Sequence, residues 1–171
     1  MKKYKILVSL LALLISSCLS AQDKTDSLIF KTAIEYNNYI IDEQIKVTDE
    51  MNKLTVAINY NRINEFDIIY KAVLDSSKSA CNNIMKIEPY NGNREFRDAA
   101  KDLFGFYCRT TKNKTSIFIR ILKKQANISS CDQRKVNRLN ARIEKKEKEL
   151  VEAFGLAQQK FAKENNFTIA K

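Results

Sequence analysis

Three arginines and a lysine, Arg134, Arg138, Arg142 and Lys145, follow one another at steps of four, four and three. On a helix that spacing places all four on one face, with Leu139, Ile143 and Leu150 roughly opposite. Such a face can do electrostatic chemistry, which is the recognition of a polyanion. It lies within the most basic part of the chain: thirteen Lys/Arg stand against Asp132, Glu144 and Glu147 between Arg109 and Lys148. The whole chain carries +10, so the remainder is close to neutral. No aromatic residue lies between Arg134 and Lys148, which disfavours single-stranded nucleic acid as the partner. An acidic protein, lipopolysaccharide or another polyanion is expected instead.

Other chemistry finds little support. The chain contains no histidine, and so lacks the commonest general base and metal ligand. Its four cysteines show no CxxC spacing, and no phosphate-binding glycine loop or nucleophile elbow occurs. Asp42, Glu43, Asp49 and Glu50 read as a solvated helix face. The expectation is a non-enzyme without cofactor or metal. Cys81 and Cys108 fall about 12 Å apart along neighbouring helices, beyond disulfide reach, and Cys131 belongs to the opposite end. Three separate thiols acting as small apolar groups are expected.

The fourth cysteine has a different context. Basic Met1 to Lys5, an apolar run from Ile6 to Ile15 and the small residues Ser16 and Ser17 lead to Cys18. This is the layout of a secretory signal, and Ile15-Ser16-Ser17-Cys18 resembles a bacterial lipobox, in which the cysteine receives diacylglycerol. The organisation expected is a signal peptide over 1–17, a linker over 18–26, a helical domain over 27–165 and a tail over 166–171. Cleavage after Ala21, leaving a periplasmic or secreted protein, is the alternative.

The elements that position these residues are helices. Few glycines, a single proline and abundant Lys, Glu, Ile, Leu and Ala point to an all-α protein. Apolar steps of three and four place a first helix from Ile29 to Ile58, and a second from Ile63 to Ile87. A third runs from Phe96 to Ile121 with a weakly apolar middle at Thr110 to Lys114, and a fourth from Val136 to Phe161, fraying at Asn165 to Phe167. Asn59 or Asn61 is expected to cap the second helix, and Ser130 or Asp132 the fourth. Between the second and third, Glu88-Pro89-Tyr90-Asn91-Gly92-Asn93 combines a helix-stopping proline, a glycine free to take positive φ and a capping asparagine. Long helices on short connections should form an up-down-up-down four-helix bundle. A three-helix bundle with the first helix swung out, or a helix-swapped dimer, are the alternatives.

Pro89-Tyr90-Asn91-Gly92, Phe96-Arg97-Asp98-Ala99-Ala100 and Leu103-Phe104-Gly105-Phe106-Tyr107 together resemble a block found in small, helical, exported bacterial surface proteins. Tyr36-Asn37-Asn38-Tyr39-Ile40 and Phe161 to Phe167 extend the likeness. It implies surface display, on the outer membrane or cell surface, and no catalytic residues. Two functions are therefore expected to compete. One is a membrane-tethered binding module that uses Cys18 as anchor and Arg134, Arg138, Arg142 and Lys145 as contact face. The other is a small-molecule carrier or enzyme with a pocket between helices, lined by Tyr36, Phe96, Phe104 and Tyr107.

Overall fold

The computed structural model describes residues 28–124 and 127–169. Over these the protein is all-α. Helix α1 spans Ala33–Asn59, α2 Phe66–Lys86, α3 Glu95–Thr110, α4 Ser116–Leu122 and α5 Ser130–Glu164. The signal peptide, the Cys18 lipobox and the linker lie outside the described residues.

Each boundary has a local chemical cause. Thr32 caps α1 through a reciprocal box: its hydroxyl accepts from the Glu35 N–H, and the Glu35 carboxylate accepts from the Thr32 N–H. That box satisfies two of the free donors at the helix start, so Ile29 is not the first helical residue expected of it. It is 86% exposed. Neither Asn59 nor Asn61 caps α2. Asn61 instead takes φ 54° and turns the chain out of α1 into a short 3-10 turn at Ile63–Glu65. At α5 the cap is Ser129, whose hydroxyl accepts from the Asp132 N–H at 3.0 Å. The C-terminus is closed rather than frayed: Asn166 has φ 55° and Phe167 folds back with its ring 5.9 Å from Phe161.

The central reversal follows its sequence. Asn91 and Gly92 have φ of 48° and 79°, and the Asn93 N–H donates to the Tyr90 carbonyl at 3.0 Å. Two successive positive φ values make the tight mirror-image turn that Asn-Gly favours. The Asn93 side chain then accepts from the Glu95 N–H at 3.0 Å.

The weakly apolar middle of the third helix is continuous but not α-helical. Thr111–Thr115 form one π-helical turn joining α3 to α4. The wider turn carries one extra residue. It lets Phe104 and Tyr107 before it, and Phe118 and Ile121 after it, all point inward.

Neighbouring helices meet head to tail. Glu43 of α1 accepts from Asn83 near the end of α2, while Leu54 and Ala57 share a cluster with Phe66 and Val73 near its start. Arg97 reaches the Ile87 carbonyl, and the Tyr70 hydroxyl donates to the Thr111 carbonyl, which runs α2 against α3 in opposite directions. Phe96 stacks near Phe161, with centroids 5.3 Å apart, and Phe104 near Phe154, at 6.3 Å, so α5 again reverses. Consecutive long segments thus run antiparallel where they meet, α1 against α2, α2 against α3 and α3 against α5.

The core is aromatic at the Pro89 end. Tyr36, Tyr90, Phe96, Phe154 and Phe161 form a continuous set of tilted and edge-on pairs 5.3 to 5.8 Å apart. Such pairs add roughly 0.5–1.5 kcal/mol beyond their burial. One buried polar link crosses this end, from the Gln158 amide to the Asn37 carbonyl at 2.8 Å.

Candidate functional site

Arg134, Arg138, Arg142 and Lys145 are all exposed along α5. The 3.6-residue repeat stacks them down one side, spanning about 16 Å of axis. None forms an ion pair with a described residue, although cations nearby do: Lys124 with Asp132 at 2.7 Å, Lys146 with Glu149 at 3.1 Å and Lys148 with Glu152 at 3.8 Å. The Glu144–Lys148 pair allowed by spacing does not form among the described residues. Asp132 is held below the usual carboxylate range by the Lys124 ammonium and the Ser129 hydroxyl, so its charge is already committed. The basic face therefore keeps its field.

Of the acidic cluster, Asp42 and Asp49 are exposed and Glu50 is half-buried, but Glu43 departs from the solvated face expected of it. Glu43 is 2% exposed and receives Lys46 at 2.7 Å and the Asn83 amide at 3.1 Å. Those two bonds offset the desolvation of a buried charge, and Glu43 ties α1 to α2. Its carboxylate, after burial itself, also helps push the Tyr39 phenol up to about 12. Cys81, Cys108 and Cys131 are free thiols, the first two half-buried. Burial first, and the Cys108 sulfur next, push Cys81 up. Cys131 is exposed, against the expectation that all three would serve as buried apolar groups; it sits in the first turn of α5, which faces solvent.

Of the four aromatics expected to line a pocket, Tyr36, Phe96 and Phe104 are packed into the core. Tyr107 alone borders a cavity, which lies at the π turn and has a volume of about 100 Å³. Its walls come from Met51, Leu54 and Ile58 of α1, Phe106 of α3, and Leu139 and Ile143 of α5. The cause is the way α5 lies. Phe154, Ala157 and Phe161 are buried, but Leu139, Ile143 and Leu150 are only half-buried. The N-terminal half of α5 thus covers the core loosely, and the π turn widens the opposing wall.

Polar side chains share this lining, Thr55, Thr110, Thr111, Thr115 and Asn140 among them. Glu147 from α5 and Lys114 from the π turn both line it, and both are half-buried. Burial pushes the Glu147 carboxyl up, the Tyr107 hydroxyl beside it pulls it down, and Glu144 raises it again. Tyr107 is itself raised, by burial and then by the Glu147 charge. Sequence reasoning missed Lys114 and Glu147 because charged residues in a basic run read as surface. The signal available was the weakly apolar Thr110 to Lys114 stretch, polar and charged residues where a core stripe should continue.

The fold and these two features define a class: an all-α protein of antiparallel long helices, with an uncompensated basic face and a small inter-helix cavity. Among the described residues no helix is long and apolar enough to cross a membrane, and no cluster of acidic or cysteine side chains is arranged to hold a metal. Comparison with protein-family models, curated proteins and solved structures yields no match.

Proposed function

We propose that the protein is an exported helical binding module, tethered through Cys18 at the bacterial envelope, whose basic α5 face contacts an acidic macromolecule. The observation that carries this reading is the lack of ion pairing at Arg134, Arg138, Arg142 and Lys145 among the described residues. A face kept only for solubility would gain from interspersed carboxylates, as at Lys148 and Glu152. The resemblance to exported surface proteins and the lipobox at Ile15 to Cys18 supply the location.

Geometry within the bundle supports an outward role. The described chain starts beside the Pro89 end, where the Phe30 ring lies 5.0 Å from Tyr36. Along α5, with 35 residues ending at Glu164, the basic side chains lie about 30 to 45 Å from that end. The Debye length at physiological salt is about 8 Å. An anionic leaflet at the anchored end would scarcely be felt by these charges, which leaves them for a partner beyond it.

The test is retention of the protein on an immobilised sulfated polysaccharide across a salt gradient. The wild type should elute late and the Arg134→Glu, Arg138→Glu, Arg142→Glu, Lys145→Glu variant in the flow-through, with helicity unchanged by circular dichroism. Equal elution of the two proteins would reduce the face to ordinary solvated surface.

A further inference from the structure

The basic row on α5 has a definite shape as well as a charge, and the shape limits what can lie along it. Arg134, Arg138 and Arg142 stand on one ridge of residues four apart, slanting about 26° across the helix axis, and Lys145 follows three residues on. Successive charges are about 6, 6 and 4.5 Å apart along the axis. Helix α5 is unbroken over Ser130–Glu164, so the ridge is fixed by continuous helix and not by a loop. It is also finite. Asp132 precedes it, and Glu149 and Glu152 follow it, already paired with Lys124, Lys146 and Lys148 in turn. Glu144 falls to one side, turned about 100° from its neighbour Lys145.

The surroundings of the row are hydrophilic. The residues exposed beside it are charged, polar or small, Asn137 and Ala141 among them. The first large apolar side chain exposed on α5 is Leu156, about 16 Å beyond Lys145. A folded protein partner would bring an apolar, aromatic-rich centre inside a polar rim, and a membrane would take up an apolar face; the row offers nothing to either. A flexible acidic peptide would have to be ordered residue by residue, and exposed ion pairs without apolar contacts contribute too little to offset that. A duplex groove presents phosphates on both of its walls. One flank of this row carries Asn137 and Glu144, so a second phosphate row there would meet a carboxylate. The partner that fits is a single hydrophilic chain, densely charged and already extended.

We propose, resting on the α5 face as the contact surface, that its partner is a linear anionic polysaccharide, one chain of which lies along the ridge from Arg134 to Lys145. Each guanidinium presents paired N–H donors to a sulfate, phosphate or carboxylate group on the chain, and Lys145 ends the row as a point charge. Counterions condensed along such a chain are released as it docks, a favourable contribution that an isolated acidic side chain lacks.

The experiment measures binding of end-labelled heparin disaccharide, tetrasaccharide and octasaccharide to the intact protein by fluorescence anisotropy, with duplex DNA and poly-L-glutamate as competitors. The disaccharide is shorter than the row and the octasaccharide longer, so affinity should rise at least about tenfold from the first to the last. For the octasaccharide, log Kd against log salt should have a slope of about 3, from four cations at roughly 0.7 each. Arg138→Gln should lower that slope by roughly 0.7, and the fourfold Glu variant should abolish binding. The length series is read on the wild type, so a variant that fails to fold does not blunt the test. Equal affinity for disaccharide and octasaccharide overturns the proposal, as does stronger competition by duplex DNA or poly-L-glutamate than by unlabelled octasaccharide at equal charge. In either case retention on the sulfated matrix still separates the wild type from the fourfold variant, and the contact face stands. Co-elution of those two proteins removes the face itself.

Discussion

Glu147 pays for its position in a way that pH reveals. Its carboxyl is raised in the folded protein, first by burial. The folded state therefore holds the proton more tightly than the unfolded chain. The resulting stability is present in full below the ordinary carboxylate value of 4.5 and is lost as pH rises through the raised folded value. Glu147→Gln keeps an acceptor for Tyr107 and removes the charge. Relative to the wild type, its melting temperature should be higher at pH 7 than at pH 4; a difference independent of pH would show that the carboxylate is not desolvated. Tyr36 makes the same point without a charge. It is 1% exposed, its phenol is pushed up to about 12 by burial, and its hydroxyl has no hydrogen-bond partner among the described residues. Desolvating an unpaired hydroxyl costs about 1–3 kcal/mol. Tyr36→Phe keeps the ring contacts with Phe30, Tyr90 and Phe161, and should raise stability by up to about 1 kcal/mol in denaturant melts.

Between elements, two devices decide how helices meet. The Tyr90 to Asn93 turn needs positive φ at Gly92, and nothing lies within 4 Å of where a Cβ would stand there. A substitution at this glycine is therefore strained by its backbone alone and not by crowding. Gly92→Val should cost about 1–3 kcal/mol, measured by urea unfolding, and an unchanged midpoint would mean the turn can adopt another geometry. The second device is the buried amide pair between α1 and α5. Asn37 donates to Asn38 at 3.1 Å and accepts from Gln158 at 2.8 Å. Gln158→Leu would leave the Asn37 carbonyl unpaired in the core, at a cost of about 1–3 kcal/mol. Adding Asn37→Leu should recover much of that loss, because removing both partners is nearly neutral when the shapes fit. A double variant no more stable than the single one would show that the pair contributes through packing.

For the whole molecule, the lever is its length. With 27 residues, α1 is about 40 Å long, which separates a tightly packed aromatic end from a looser, basic one. The proposed tether at Cys18 sits ahead of the aromatic end in the chain. Protein purified from its native membrane should carry a diacylglyceryl group on Cys18, seen in its intact mass; a mature chain beginning at Gln22 would replace the tether with secretion.

How much of this was legible in the sequence differs by distance along the chain. The all-α class, the approximate helices and the Asn91-Gly92 reversal follow from periodicity and from residues that bias their own φ. The exposure of Arg134, Arg138, Arg142 and Lys145 follows too, since a step of four keeps side chains on one face of a helix. All of these depend on residues within a turn or two of each other. Thr32 and Glu35 carried an equally local start signal, and Ile29 competed with it because a lone apolar residue continues a stripe as readily as it precedes one. What only the tertiary structure decided are pairings across long separations. Glu43 is buried because Asn83, forty residues away, meets it. Phe96 and Phe104 became core, and Tyr107 a cavity wall, because α5 packs closely at Phe154 and Phe161 but loosely at Leu139 and Ile143. Periodicity states that a face is apolar; it does not state how near the opposing helix comes, and that distance separates a packed core from a site.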